Sequence, residues 1–132
     1  MKIIDKLAWI EIRNKSVLST LSRGKDTYYI PGGKREIGES DQEALIREIK
    51  EELSVELDGN TLDFIGIFEA QAHGHDEGIL VKMTCYSGSY KGTLKPDSEI
   101  ESMAWLNTSD KDKISPVDIL IFDYLNRKGL ID

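Results

Sequence analysis

Three glutamates, Glu48, Glu51 and Glu52, crowd onto one side of a segment that otherwise has the marks of a core-packed helix. Ser40 offers an N-cap with Glu43 three residues on, and Leu45, Ile46, Ile49 and Leu53 recur at helical spacing. The expected helix runs from Asp41 to Leu53. At about 100° per residue, the apolar side chains share one arc and the glutamates share the next. Like charges three and four residues apart repel by roughly 0.2–0.5 kcal/mol per pair on an exposed helix. The cluster also lies in the second half of the helix, where the dipole disfavours negative charge. Arg47 is within reach of Glu43 and Glu51 but cannot neutralise the whole group. A hard divalent cation resolves the conflict, because Mg²⁺ takes carboxylate and water oxygens and leaves waters for a phosphate to displace. A Glu-rich face can also be no more than a solvated one. The Pro31-Gly32-Gly33 turn and the isolated Glu39 upstream favour a loop-plus-helix site.

The rest of the chain divides into strands and one further helix. Lys6 to Arg13 is expected to be a strand, and Asn14-Lys15 a turn into a second one over Ser16 to Leu21. Tyr28-Tyr29-Ile30 is a short β-prone run, with Pro31-Gly32-Gly33 as the stop that ends regular structure and leaves backbone free to approach a ligand. A polar loop is expected from Lys34 to Glu39. Three more strands are expected at Asp63–Gln71, Ile79–Tyr86 and Ser102–Leu106, with a polar loop from Ala72 to Gly78. A second helix starts at Ser115 as N-cap, with Pro116 in its first position and Asp118 three after the cap. Its apolar stripe is Val117, Leu120, Ile121, Tyr124 and Leu125, Gly129 ends it, and its expected role is packing. Strands combined with two one-faced helices predict an α/β fold in which helices cover a mixed sheet.

At 132 residues the chain fits a single domain, 1–132, able to bury a core without disulfides. The single cysteine, Cys85, excludes an internal disulfide and suits a buried strand position. No apolar run is long enough to span a membrane, and Asp5 and Lys6 interrupt the apolar start, so a cytoplasmic location is expected. The net charge of −7 argues against binding to a nucleic-acid polymer or an anionic membrane. It leaves a phosphorylated small molecule open, since a bound metal reverses the local sign.

Gly33, Glu39 and the run Arg47-Glu48-Ile49-Lys50-Glu51-Glu52-Leu53-Ser54-Val55 closely resemble the Nudix box, G-x5-E-x7-R-E-U-x-E-E-x-G-U with U aliphatic. Every charged position matches at its spacing over residues 33–55. Ser54 stands where the family usually has glycine, a departure that bears on the turn after the helix. The resemblance implies an α/β/α sandwich that cleaves a nucleoside diphosphate linked to another group, with Mg²⁺ or Mn²⁺ as cofactor. By position it implies that Glu48, Glu51 and Glu52 bind metal or the attacking water, and that the Gly33 carbonyl is a further metal ligand. Arg47 would orient a glutamate, and Glu39 would support the loop or a second metal. Many members add a carboxylate from a later loop. Here Glu99, six residues before Trp105, is preferred to Glu101 as that ligand or base.

Markers of several family branches are missing. Glu69-Ala70-Gln71-Ala72 stands where ADP-ribose hydrolases often carry a proline, and His73 and Gly74 near the tyrosine of dinucleoside polyphosphate hydrolases. The coenzyme A signature is absent too. The short form therefore looks most like MutT-type nucleoside triphosphate pyrophosphohydrolases. ADP-ribose or nucleotide-sugar cleavage is the alternative, and a non-catalytic nucleotide-binding module is disfavoured by the complete set of glutamates. Arg23, Lys25 and His73 are candidate substrate contacts, with His75 beside them. Trp9, Tyr28 and Trp105 are core candidates before they are base-stacking ones. Homodimers occur in the family, so a homodimer is compatible with the resemblance.

Overall fold

The computed structural model describes residues 2–132. Strand β1 (Ile3–Trp9) organises the fold through period-two alternation. Ile4 and Ala8 point into one core, Leu7 and Trp9 into another. β1 pairs in parallel with β7 (Leu80–Ser87) and antiparallel with β4 (Gly32–Lys34). β6 (Asp63–Gln71) adds to β7, with a bulge between Phe64 and Gly66, to complete a mixed sheet of order β4-β1-β7-β6. A second, antiparallel sheet joins β2 (Ile12–Arg13), β3 (Ser16–Ser22) and β9 (Ile100–Leu106). β5 (Glu56–Leu57) pairs with β8 (Tyr90–Lys91).

A helix closes each core. α1 (Asp41–Leu53) contributes Ala44, Leu45, Ile49 and Leu53 to the core holding Leu7, Trp9 and Leu18. α2 (Pro116–Arg127) contributes Val117, Ile121, Phe122 and Leu125 to the core holding Ile4, Ala8, Val81 and Cys85. The result is the α/β/α layering expected from the sequence. Each fully buried Leu, Ile or Phe on these faces contributes about 1.5–3 kcal/mol.

Local signals set α1. Glu43 N–H donates to the Ser40 hydroxyl and Ser40 N–H to the Glu43 carboxylate, so the expected capping box is present. Glu43 is thereby held at the N-terminus and does not pair with Arg47, contrary to the expectation. Ser54 ends the helix in a left-handed conformation, φ 63°, its N–H donating to the Lys50 carbonyl.

Several sequence expectations are corrected. The single strand over Lys6–Arg13 is two, β1 and β2, interrupted at Ile10-Glu11. Tyr28-Tyr29-Ile30 forms only isolated bridges, Thr20 with Tyr29 and Tyr28 with Ile114. Pro31-Gly32-Gly33 does not end regular structure, because Gly32 and Gly33 open β4. Gly32 has φ 147°, and a Cβ there would fall on the Leu7 carbonyl oxygen, so the strand approaches β1 only because this residue is glycine. In α2, Leu120 is 44% exposed, whereas Asp118 is fully buried on the inner face. The Ser115 hydroxyl makes no cap hydrogen bond, and Pro116 holds the first position as expected.

Candidate active site

The sheet and the two helices enclose a cleft of about 720 Å³. One wall carries Glu48 and Glu52 from α1, Gly33 from β4 and Glu99 from the turn before β9. The floor carries Lys6 and Lys34. The lining also includes Tyr29, His73, His75 and the first turn of α2, Ser115 to Val117.

Glu52 is 8% exposed and accepts a 3.0 Å hydrogen bond from Gly32 N–H. Burial pushes its carboxyl up to about 8. The Gly32 N–H opposes that shift, and Glu48 and Glu99 add to it. Burial likewise raises Glu48, against the Arg47 guanidinium 2.9 Å away, with Glu51 and Glu99 raising it further. A Cβ on Gly33 would strike the Glu48 carboxylate, so the glycine leaves the backbone and that carboxylate in close approach. Glu51 is the outermost of the three, its side chain 53% exposed and 3.6 Å from Arg47.

Arg47 fastens the loop to the helix. Its Nε and Nη2 donate to the two oxygens of Glu39 at 2.7 and 2.8 Å, and Nη2 also donates to the Lys34 carbonyl. Arg47 and the Glu36 N–H hold the Glu39 carboxyl down at about 2. Glu39 thus has both oxygens engaged and does not line the cleft, a placement that matches loop support.

The donor chemistry fits a hard divalent cation. Glu48, Glu52 and Glu99 are carboxylates facing one cleft, two of them desolvated, beside a glycine backbone. Among the described residues no three acidic or imidazole groups converge on one point, so the set has the composition of a metal site without its closed geometry.

Of the other sequence candidates, Lys25 and His73 line the cleft. His73 Nε2 lies 3.3 Å from the Thr27 hydroxyl, its ring edge-on to Tyr29. Arg23 is not brought into the cleft. It donates to the Ser98 carbonyl at 2.8 Å and its N–H donates to the Glu99 carbonyl, so it braces the turn that presents Glu99. Glu101 is exposed and outside the cleft lining. Trp9 is wholly buried, with its indole N–H donating to the Gly88 carbonyl, and Trp105 lies under the Arg13 guanidinium.

Three residues escaped the sequence reading. Tyr29, not Tyr28, faces the cleft. Lys6 lies on the same face of β1 as Ile4 and Ala8. Burial lowers its pKa, Lys34 adds to that effect, and Asp118, Glu52 and Glu48 oppose it. Asp118 accepts the Ile30 N–H at 3.0 Å, and burial pushes its carboxyl up to about 7. Its second oxygen and the Ser115 hydroxyl are buried without a well-formed hydrogen bond among the described residues, although the hydroxyl lies near enough to favour the charged carboxylate. The available signals were a lysine amid the apolar run of β1 and an aspartate amid the apolar stripe of α2.

A carboxylate-lined cleft between the layers of an α/β/α sandwich, with a glycine-led loop clamped to its helix, is the architecture of the Nudix fold. The chain belongs to the NUDIX family, whose domain model matches residues 8–120. It is 33% identical over 90 residues to a nudix hydrolase of Caenorhabditis elegans, a match covering 67% of this chain and 22% of that protein. The chain thus spans about a fifth of the length of that curated relative. Among solved structures it resembles the E. coli ORF135 protein, with a TM-score of 0.74, 24% identity, and coverage of 100% of this chain and 96% of that one. It also resembles a MutT NUDIX hydrolase from Burkholderia pseudomallei, with a TM-score of 0.76, 16% identity, and coverage of 93% and 98%. At these identities the structural likeness speaks to the fold.

Proposed function

We propose that this protein hydrolyses a phosphoanhydride bond in a nucleoside diphosphate-linked substrate with the help of Mg²⁺ or Mn²⁺, and that the substrate is a nucleoside triphosphate cleaved to monophosphate and pyrophosphate. The observation that carries the reading is the pair of desolvated carboxylates, Glu48 and Glu52, facing a cleft beside the glycine backbone of β4. Glu48, Glu51, Glu52, Glu99 and the Gly33 carbonyl would hold the metal. When bound, it polarises phosphoryl oxygens and brings the ionisation of water toward neutral pH.

The protein's own groups do the rest. Arg47 and Glu39 keep loop and helix in register, which fixes Glu48 against Gly33. Burial raises the proton affinity of Glu48 and Glu52 in the metal-free protein, and a bound cation would draw them back to the charged form, which leaves a carboxylate not bound to metal to take the proton from water. Lys25 and His73 line the cleft and are proposed as substrate contacts. The buried cluster that joins Ile4 to Ile131 supports one domain over residues 1–132.

The test is turnover of a panel of nucleoside triphosphates, ADP-ribose and nucleotide sugars with Mg²⁺, followed by release of pyrophosphate or phosphate. Pyrophosphate from a triphosphate supports the reading. Preferred cleavage of ADP-ribose or a nucleotide sugar moves the substrate to the alternative class, and no turnover of any member contradicts the hydrolase reading.

A further inference from the structure

We propose that Lys6 holds a phosphate of the substrate, the one that joins the phosphate chain to the nucleoside. The proposal rests on the hydrolase reading above and assigns a role to a residue outside the glutamate helix and its loop.

Lys6 sits in the middle of β1, between the core residues Leu7 and Ile4, on the face turned toward α2. A lysine there gives up water and side-chain freedom, and both losses favour placing it outside. The usual compensation is a carboxylate partner. Among the described residues, however, no carboxylate comes within ion-pairing distance of its ammonium, whose neighbour is the Tyr29 ring with its centroid 5.8 Å away.

The register makes the position less favourable still. Lys6 is directly opposite Lys34 in the antiparallel β1–β4 ladder, and both side chains line the cleft. Like charges placed opposite one another destabilise a sheet. An anion received between them turns that repulsion into attraction.

The location says which part of a nucleotide arrives there. The carboxylates that act on the Lys6 charge come from both helices, Glu52 and Glu48 on α1 and Asp118 on α2, and the Tyr29 ring lies beside its ammonium. Lys6 therefore stands at the boundary between the carboxylate end of the cleft and the end walled by Tyr29, Pro116 and Val117. A phosphate chain at the first end and a nucleoside at the second meet at the phosphate bonded to the sugar. A lysine ammonium, a compact charge with three donors, suits one non-bridging phosphate oxygen.

The experiment compares wild type, Lys6→Met and Lys6→Arg. Calorimetric titration with Mg²⁺ present measures binding of the nucleoside monophosphate product of the preferred substrate, and of the same nucleoside without phosphate. Met keeps the aliphatic reach and removes the charge. Expected is a loss of about tenfold or more in monophosphate affinity for Lys6→Met, unchanged nucleoside affinity, and a shallower dependence on salt. Lys6→Arg should stay close to wild type. Should Lys6→Met fail to fold, Lys6→Gln gives the same readout. Unchanged monophosphate affinity overturns the proposal. So does equal loss for the nucleoside, which would make Lys6 a base contact or a packing residue, and so does a wild type without affinity for the monophosphate. If wild type turns over the panel and Lys6→Met binds normally, only Lys6 is wrong. If wild type turns over nothing, the hydrolase reading falls, and AMP, GMP, CMP and UMP titrated into wild type and Lys6→Met still decide whether Lys6 holds a phosphate.

Discussion

Glu52 combines burial, a backbone donor and two neighbouring carboxylates, and its titration carries a stability signature. Its folded pKa of about 8 lies above its ordinary 4.5. The metal-free protein is therefore most favoured below the ordinary value and loses that contribution as pH rises through about 8. Asp118, raised to about 7 from 3.8, acts in the same direction. Glu39, depressed to about 2, acts in the opposite one, and its contribution disappears only in strong acid. In chelator, urea unfolding should show lower stability at about pH 8 than at about pH 6. Glu52→Gln should flatten that slope, keep an acceptor for Gly32 N–H, and lower turnover by orders of magnitude without a collapse in Tm. Unchanged turnover, or a collapsed fold, would argue for a structural role. On the same wall, Glu99→Gln should reduce activity more than Glu101→Gln, because of the two only Glu99 lines the cleft. If Glu99 is a ligand, turnover over a Mg²⁺ titration should show a higher half-saturating concentration and partial rescue by excess metal. If it is the base, added metal restores nothing. A larger effect at Glu101 would transfer the role to that residue.

Among the elements, α1 was legible to its end residues because everything that defines it is local. The capping box spans four residues, the apolar stripe repeats within three turns, and the helix stops one residue before Ser54. β4 was not legible, because Gly32-Gly33-Lys34 has no strand character of its own and becomes a strand only by lying against Leu7 and Ala8, far away in sequence. The same cause hid Lys6 and Asp118. Each looked like a polar interruption of an apolar pattern, and only the packing of β1 against α2 gives them neighbours. Ser54 was the one departure in the glycine-to-glutamate motif, and its left-handed φ of 63° locates the consequence in the turn. A non-glycine residue there carries strain of about 1–2 kcal/mol, partly offset by the Ser54 hydroxyl bond to the Lys95 carbonyl. Ser54→Gly should therefore raise stability by about 0.5–1 kcal/mol in urea unfolding, with turnover unchanged. A loss of stability would mean that the hydroxyl bond outweighs the backbone strain.

For the molecule as a whole, a net charge of −7 is reconciled with an anionic substrate by separating charge within one cleft. Carboxylates gather on the α1 side and lysines on β1 and β4, so on the proposed function a metal ion and a phosphate chain would each meet the opposite charge. No helix among the described residues is long and apolar enough to cross a membrane. The layered fold anchors both helices, since α1 and α2 each bury their apolar side against opposite faces of β1. On the proposed function the carboxylates of the cleft work through a divalent cation. The most direct test is turnover of the preferred nucleotide after exhaustive chelation, followed by titration with Mg²⁺ or Mn²⁺. Activity should vanish in EDTA and return along a saturable curve as metal is added, whereas full activity surviving chelation would rule out a catalytic divalent cation.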